Sequence, residues 1–260
     1  MLYAFCLLLQ LYTSTVLPAP EEQWKSVKYK HYTVHYQSPD RNTRKQYAPF
    51  FKKGHAAVKN FFSADFQSDF DIYLHPERTS MDHQWQSDWK MPDFKSECWM
   101  VASGVATKLD LLSPRQWAGS ACEHRWEDQI ASQRLITHEM VHVFHGQRNA
   151  SPDFSDVDRI DWFVEGLATY ASGQCDSTRL SEVKKAVAAG KIPAGLDQFW
   201  TGKLKYGLSG SVVLYLDQRF GRAKLLEWLP LNKKDALLSA IGLSEAILLE
   251  DWKKFMLTKV

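Results

Sequence analysis

Leu135-Ile136-Thr137-His138-Glu139-Met140-Val141-His142-Val143-Phe144-His145 is the stretch on which both fold and chemistry turn. Its apolar residues recur at helical spacing, so it reads as a helix inside a core. His138 and His142 are four residues apart and share one face of that helix. Two neutral imidazoles so placed can grip one metal ion. Glu139 projects about 100° further round the axis, near enough to reach a water beside that ion. Two imidazoles and a carboxylate in an apolar helix are costly to bury without such a partner.

A metal site that keeps one position open for chemistry needs a third protein ligand. In one known arrangement a third His follows the second by six residues, but Arg148 stands there. His145 lies one turn beyond His142 and recedes from the ion, so it reads as a packing residue. The segment Asp161-Trp162-Phe163-Val164-Glu165-Gly166-Leu167-Ala168-Thr169-Tyr170 is a second apolar helix, and it carries Glu165. A lone Glu in that setting calls for coordination or an ion pair. Gly166 and Ala168 are small enough to let this helix approach the first.

Outward from these helices the pattern divides. Alternating Tyr, Val and Thr over 27–37 predict a strand, and Phe70-Asp71-Ile72-Tyr73-Leu74-His75 predicts another. Between them, apolar spacing over 43–62 predicts a helix. Residues 77–94 are polar and Trp-bearing and read as a loop. Residues 97–112 read as one long strand or a hairpin, ended by Pro114. Further helices are expected over 128–146, 161–172, 181–190, 208–220, 223–229 and 235–257. Gly146, Gly173, Gly190 and Gly221 fall at their C-caps. Strands first and helices second imply an α+β arrangement. We read one unit over 20–260, with a sheet-containing lobe at about 25–147 and a mainly helical lobe at about 148–260.

Composition narrows the class. The chain has 260 residues, 45% hydrophobic and 24% charged. That excludes a disordered, a collagen-like or a multispanning membrane chain. Thirty-two Lys and Arg against thirty Asp and Glu leave a charge of +2, with no basic cluster suited to nucleic acid. The apolar run over 2–11 is too short to span a membrane and suits a signal peptide covering 1–19, although no basic residue precedes it. A secreted or periplasmic location is therefore expected, with no membrane span in the mature chain. Cys98, Cys122 and Cys175 then remain; Cys98–Cys122 is the expected bond, with buried free thiols the alternative.

His138 and His142, followed by Trp162-Phe163-Val164-Glu165-Gly166-Leu167-Ala168-Thr169-Tyr170, resemble the gluzincin metallopeptidases, the clan of thermolysin and aminopeptidase N. The Trp-x-x-Glu-Gly-x-Ala-x-Tyr pattern is most similar to the aminopeptidase-N-like branch. Twenty-two residues separate His142 from Glu165, which implies a long segment over 147–160. The close resemblance covers about residues 95–220. It implies a zincin-like fold, one Zn2+ held by His138, His142 and Glu165, and Glu139 as general base. It also implies a substrate-lining strand ahead of the zinc helix, where Ser103-Gly104-Val105-Ala106-Thr107-Lys108 falls. Aminopeptidases carry Gly-x-Met-Glu-Asn there to bind the free amine. Its replacement points to an endopeptidase or to a family of unassigned specificity. Tyr206-Gly207-Leu208-Ser209-Gly210-Ser211 is similar to the segment that follows the Glu helix in gluzincin-like proteins, so Tyr206 is a candidate oxyanion donor or else a core-packing Tyr.

Other positions are open. Thr169 stands where thermolysin-like enzymes put an Asp to steady a zinc ligand; its hydroxyl, Asp158 or Asp161 could orient His138. Trp85 and Trp89 read as lobe core or as cleft lining. His124, Lys233 and Lys234 read as surface. Peptide or protein is the substrate implied, by a secreted zinc metallopeptidase. A zinc hydrolase of a non-peptide amide or ester and a noncatalytic zinc-containing binding protein are the alternatives.

Overall fold

Tyr32, Val34 and Tyr36 turn inward while Thr33 and His35 turn outward, and this alternation makes β2 (Tyr32–Tyr36). The computed structural model describes residues 23–260; the signal segment expected at 1–19 lies outside the described residues. With β1 (Lys25–Lys28), β3 (Phe70–His75), β4 (Ala102–Val105) and β5 (Lys108–Leu112), β2 forms a five-stranded mixed sheet in the order β1-β2-β3-β5-β4. The three inner strands run parallel, and both edge strands, β1 and β4, are antiparallel to their neighbours. Residues 97–112 thus resolve into a hairpin of β4 and β5.

Helix α1 (Arg41–Phe62) crosses from β2 to β3 and buries Tyr47, Phe51, Val58 and Phe62. The loop expected at 77–94 is instead largely helical. Residues there form α2 (Arg78–Asp88), anchored by Met81 and Trp85, which are buried one turn apart in an otherwise polar helix. Two apolar residues are too few to show a period in sequence.

After the short α3 (Trp117–Ser120) comes α4 (Gln129–Gly146), capped by the Asp128 carboxylate, which accepts from the Ala131 N–H at 2.9 Å. Every residue from Leu135 to Gly146 is buried. One side of α4 meets α1, another meets β4 and β5, and a third meets α5 (Asp161–Ala171). In turn α5 packs on α7 (Lys205–Phe220) through Gly166, whose small size serves this contact and not the expected approach to α4: a Cβ would overlap the Ser209 carbonyl and come within 3.0 Å of Val213 Cγ2. The remaining helices are α6 (Ser177–Ala188), α8 (Arg222–Trp228), α9 (Lys234–Ile241) and α10 (Glu245–Lys259). One continuous cluster of buried apolar side chains runs from Tyr32 to Met256. Among the described residues, no helix is long and apolar enough to cross a membrane.

Several boundaries differ from expectation for physical reasons. Helix α6 starts four residues early because Asp176 caps it, accepting from the Arg179 N–H at 3.2 Å. The single helix expected over 235–257 is two, broken at Gly242 in the left-handed region (φ +76°) and restarted by the Ser244 cap. Gly173, Gly190 and Gly221 do follow helix ends with positive φ, but Gly146 is the last helical residue of α4. It is small because a Cβ would sit 2.5 Å from the Pro152 carbonyl oxygen and 2.8 Å from the Ala106 nitrogen. Lys234 is not a surface residue; it is buried and paired with Asp197 at 2.7 Å and Glu245 at 3.0 Å. Cys98 and Cys122 are bonded, and Cys175 is a free thiol.

Gly104 carries the sheet onto the central helix. A Cβ there would overlap the Glu139 carbonyl oxygen and press on His142 Cβ at 3.1 Å. Gly104→Ala should therefore cost about 1–3 kcal/mol in urea denaturation. Gly119→Ala, with nothing within 4 Å of the new methyl, should cost nothing. Equal stability of the two variants would mean that strand and helix do not meet this closely.

Candidate metal centre

On α4 the Nε2 atoms of His138 and His142 converge to 3.1 Å. Helix α5 adds the Glu165 carboxylate, whose Oε2 lies 3.4 Å from the first imidazole nitrogen and 3.6 Å from the second. These form the group of potential metal ligands among the described residues. Donors bonded at about 2.0–2.1 Å in a tetrahedral shell stand about 3.4 Å apart, and the three edges of this triangle bracket that spacing. Two imidazole nitrogens and one carboxylate oxygen turn lone pairs toward one space, and with neutral rings their net charge is negative. The donor set fits a divalent cation, and the chain can hold one here.

Electrostatics point the same way. Burial opposes ionisation of Glu165, yet the two imidazoles outweigh it and hold the carboxyl far below the ordinary range. Burial also opposes charging of His142, yet the Glu165 carboxylate draws that ring upward. Each partner asks for opposite charge across the gap. Glu139 differs: burial raises its carboxyl above the usual range, while His138, His142 and the Gly104 N–H pull it partly back.

His145 stays out of this group. Its Nε2–H donates to the Leu229 carbonyl at 3.2 Å, and its ring packs on Phe154 and Phe163. Burial, and then the neighbouring His142, lower its pKa to about 3. None of the expected steadying residues bonds to His138. Thr169 Oγ1 is buried without a partner, and Asp158 pairs with Arg159. Among the described residues, Nδ1 of both His138 and His142 is likewise without a hydrogen-bond partner. Packing orients these rings instead. His138 stands 6.3 Å from the Tyr206 ring, and His142 stands 5.9 Å from Phe154.

The triangle lies on one wall of a cleft of ≈ 410 Å³. Residues Ala102 to Val105 of the edge strand β4 form another wall, and Tyr206 on α7 lines it beside His138. Loop 147–160 supplies Asp153, Phe154 and Val157 to one rim. There Phe154 holds φ +60°, a left-handed conformation uncommon for a bulky residue. Asp153 supports it by accepting from the Ser155 N–H and hydroxyl. The opposite rim carries Trp99 and His124 around the disulfide. His124, expected at the surface, instead hydrogen-bonds through Nε2 to the Trp99 carbonyl at 3.1 Å. Arg78 pins this rim by donating to the carbonyls of Glu97, Cys98, Met100 and Ser120. Trp85 is core; Trp89 stacks on it at 5.0 Å, and both rings also reach the cleft.

Sequence reasoning missed Phe154, Arg179, Trp200 and Lys205, all of which line the cleft. They come from loops and helix ends, where no periodicity marks a side chain as inward. No family model matches the chain, and no curated protein matches it either.

Two outcomes follow from the geometry. Adding Zn2+ or Co2+ at a hundred times its Kd should stabilise the protein by about 2.7 kcal/mol, seen as a rise in Tm. His138→Ala and Glu165→Ala should abolish that rise; a response equal to wild type in both would remove the ligand assignment. The second concerns acid. The ordinary histidine value of 6.5 is lowered to about 3 for His145 in the fold, so the unfolded chain binds the extra proton between those limits. Its contribution is fully present above pH 6.5 and is lost as pH falls toward 3. Denaturant titrations should show the stability gap between wild type and His145→Gln shrinking over that interval; a constant gap would refute the assignment.

Proposed function

We propose that this chain is a secreted zinc-dependent metallopeptidase with a zincin-like fold. The observation that carries the reading is the 3.1, 3.4 and 3.6 Å triangle of His138, His142 and Glu165, with Glu139 buried on the same helix at an open cleft. The gluzincin resemblance over about 95–220 supports it, since the same four residues carry that resemblance. A disulfide agrees with an oxidising compartment.

Zn2+, when bound, would supply Lewis acidity to a carbonyl oxygen and lower the pKa of a water. The chain's own residues do the rest. Glu139 takes a proton from the attacking water and passes it to the leaving amine. Burial raises its proton affinity toward the level that general acid–base exchange needs. Burial, then Glu165 and Glu139, keep the Tyr206 phenol protonated, so it can donate to the developing oxyanion. β4 is an edge strand, so an extended peptide can add along it. Its Ala102, Ser103, Gly104 and Val105 offer no charge to hold a free amine, which favours internal peptide bonds over N-terminal ones. A non-peptide amide or ester could use the same machinery, but a strand edge beside the ligands favours peptide. An open cleft over the ligands favours catalysis over a purely structural ion.

Glu139→Gln should keep the metal and lose about 10²–10⁴ in kcat on casein or a peptide library. Tyr206→Phe should lose about 10²–10³ in kcat with KM little changed. Identical behaviour of wild type and Glu139→Gln on every substrate would end the enzymatic reading.

A further inference from the structure

We propose that Lys205 and Arg179 form a carboxylate-binding subsite at one end of the metal cleft, so that the preferred substrate carries an anionic group near the scissile bond. This deepens the hydrolase reading and rests on it. Lys205 is the first residue of α7 and is half-buried. Its ammonium lies 4.5 Å from the Trp99 ring centre, 4.7 Å from that of Trp200 and 5.3 Å from that of Tyr206. Arg179, also half-buried, holds its guanidinium 5.4 Å from the centre of the Tyr206 ring, the same ring that stands against His138. One aromatic ring therefore separates both cations from a candidate metal ligand. Both line the main cleft, and both line an adjoining side lobe of ≈ 560 Å³ whose lining shares Trp99, Glu123 and Tyr206 with it.

Their lack of partners is the informative part. Other shielded cations in this protein either pair, as Lys108 does with Asp110, Arg222 with Asp217 and Lys234 with Asp197 and Glu245, or spend their N–H groups on carbonyls, as Arg78 and Arg148 do; among the described residues the Lys205 ammonium makes neither an ion pair nor a hydrogen bond. Among the described residues Lys205 and Arg179 enter no ion pair, although a half-buried charge is costly to leave alone. Arg179 uses one N–H on the Gln174 carbonyl at 2.7 Å. Asp176, next along its own segment, is already engaged by Arg134 at 3.0 Å. Glu123 and Glu182 border the side lobe but are exposed and pair with neither cation.

Three rings around Lys205 compensate its desolvation in part and restrict its rotamers, while the side toward the cleft stays free. A point charge and a planar fork lining one pocket are each suited to a carboxylate. Peptides offer that group in two ways, as a C-terminus or as an Asp or Glu side chain. Asp153 on loop 147–160 and Asp161 on α5 line the same cleft with the opposite sign. A carboxylate-bearing peptide would thus be oriented as well as held.

The test uses the full zinc-loaded chain and isothermal calorimetry, not turnover. One pair of dipeptide hydroxamates differs only in a C-terminal carboxylate or carboxamide, the other only in a Glu or Gln side chain. Wild type should bind the acid of one pair about tenfold more tightly than its neutral partner, and which pair shows this identifies the source of the carboxylate. Lys205→Met and Arg179→Met should lose most of that preference while binding the neutral compounds as before, and Lys205→Arg should restore it. Equal binding within both pairs, or a preference that survives in both Met variants, would overturn the subsite and leave the metallopeptidase reading standing. If no hydroxamate binds the zinc protein at all, the metallopeptidase reading fails and takes the subsite with it.

Discussion

Three lone pairs aimed into one small space repel each other, and the fold must hold them together until a cation balances them. Helix α4 is held rigidly enough to do so because it is buried on every side, between α1, the β4–β5 edge and α5. Gly104 and Gly166 set the closeness of that packing, one bringing the strand onto α4 and the other seating α5 against α7. With any larger residue at either position the backbones would separate. One separation would withdraw the strand that backs Glu139 and His142, and the other the helix that backs α5 and its Glu165. Packing density around the two helices thereby becomes a condition of the donor geometry.

Regular elements position the donors, whereas irregular segments shape the space above them. Loop 147–160 delivers Phe154 in a left-handed conformation that its hydrogen-bonded Ser151-Pro152-Asp153-Phe154-Ser155 turn sustains. Across the cleft, the Cys98–Cys122 bond and the Arg78 guanidinium hold a rim with little secondary structure of its own. Loops that must keep a fixed shape need such tethers, since they lack the ladder of bonds that fixes a helix or strand.

Legibility in the sequence follows the same division. His138, Glu139 and His142 could be placed on one helix because the period of 3.6 dictates which side chains are neighbours. Glu165 was legible because a lone carboxylate in an apolar helix is too costly to bury unless a cation or a charged partner meets it. The alternation in β2 and β3 announced a sheet. By contrast, α2 has only Met81 and Trp85 to betray it, and Lys234 looks in sequence like any exposed lysine until Asp197 and Glu245 arrive from elsewhere in the chain. Arg179, Lys205 and Phe154 were invisible for the same reason. Their roles come from long-range placement, and a charged or aromatic residue in a loop or at a helix start carries no local mark of it. Thr169 fits this account too, since its position suggested a bond to His138 that the packing does not make.

The unpartnered Nδ1 atoms of His138 and His142 bind these two levels together. Metal-binding histidines are usually steadied by a hydrogen bond from the other ring nitrogen. Among the described residues no protein group accepts it, so ring orientation falls to the aromatic walls, Tyr206 beside His138 and Phe154 beside His142. Those residues also border the cleft. A group that enters and presses on Tyr206 presses on the ring that orients a ligand, and through Tyr206 it also meets Lys205 and Arg179. The walls of the cleft and the geometry of the donor triangle are therefore mechanically joined at two rings, a coupling that a hydrogen-bonded carboxylate behind each imidazole would have kept separate.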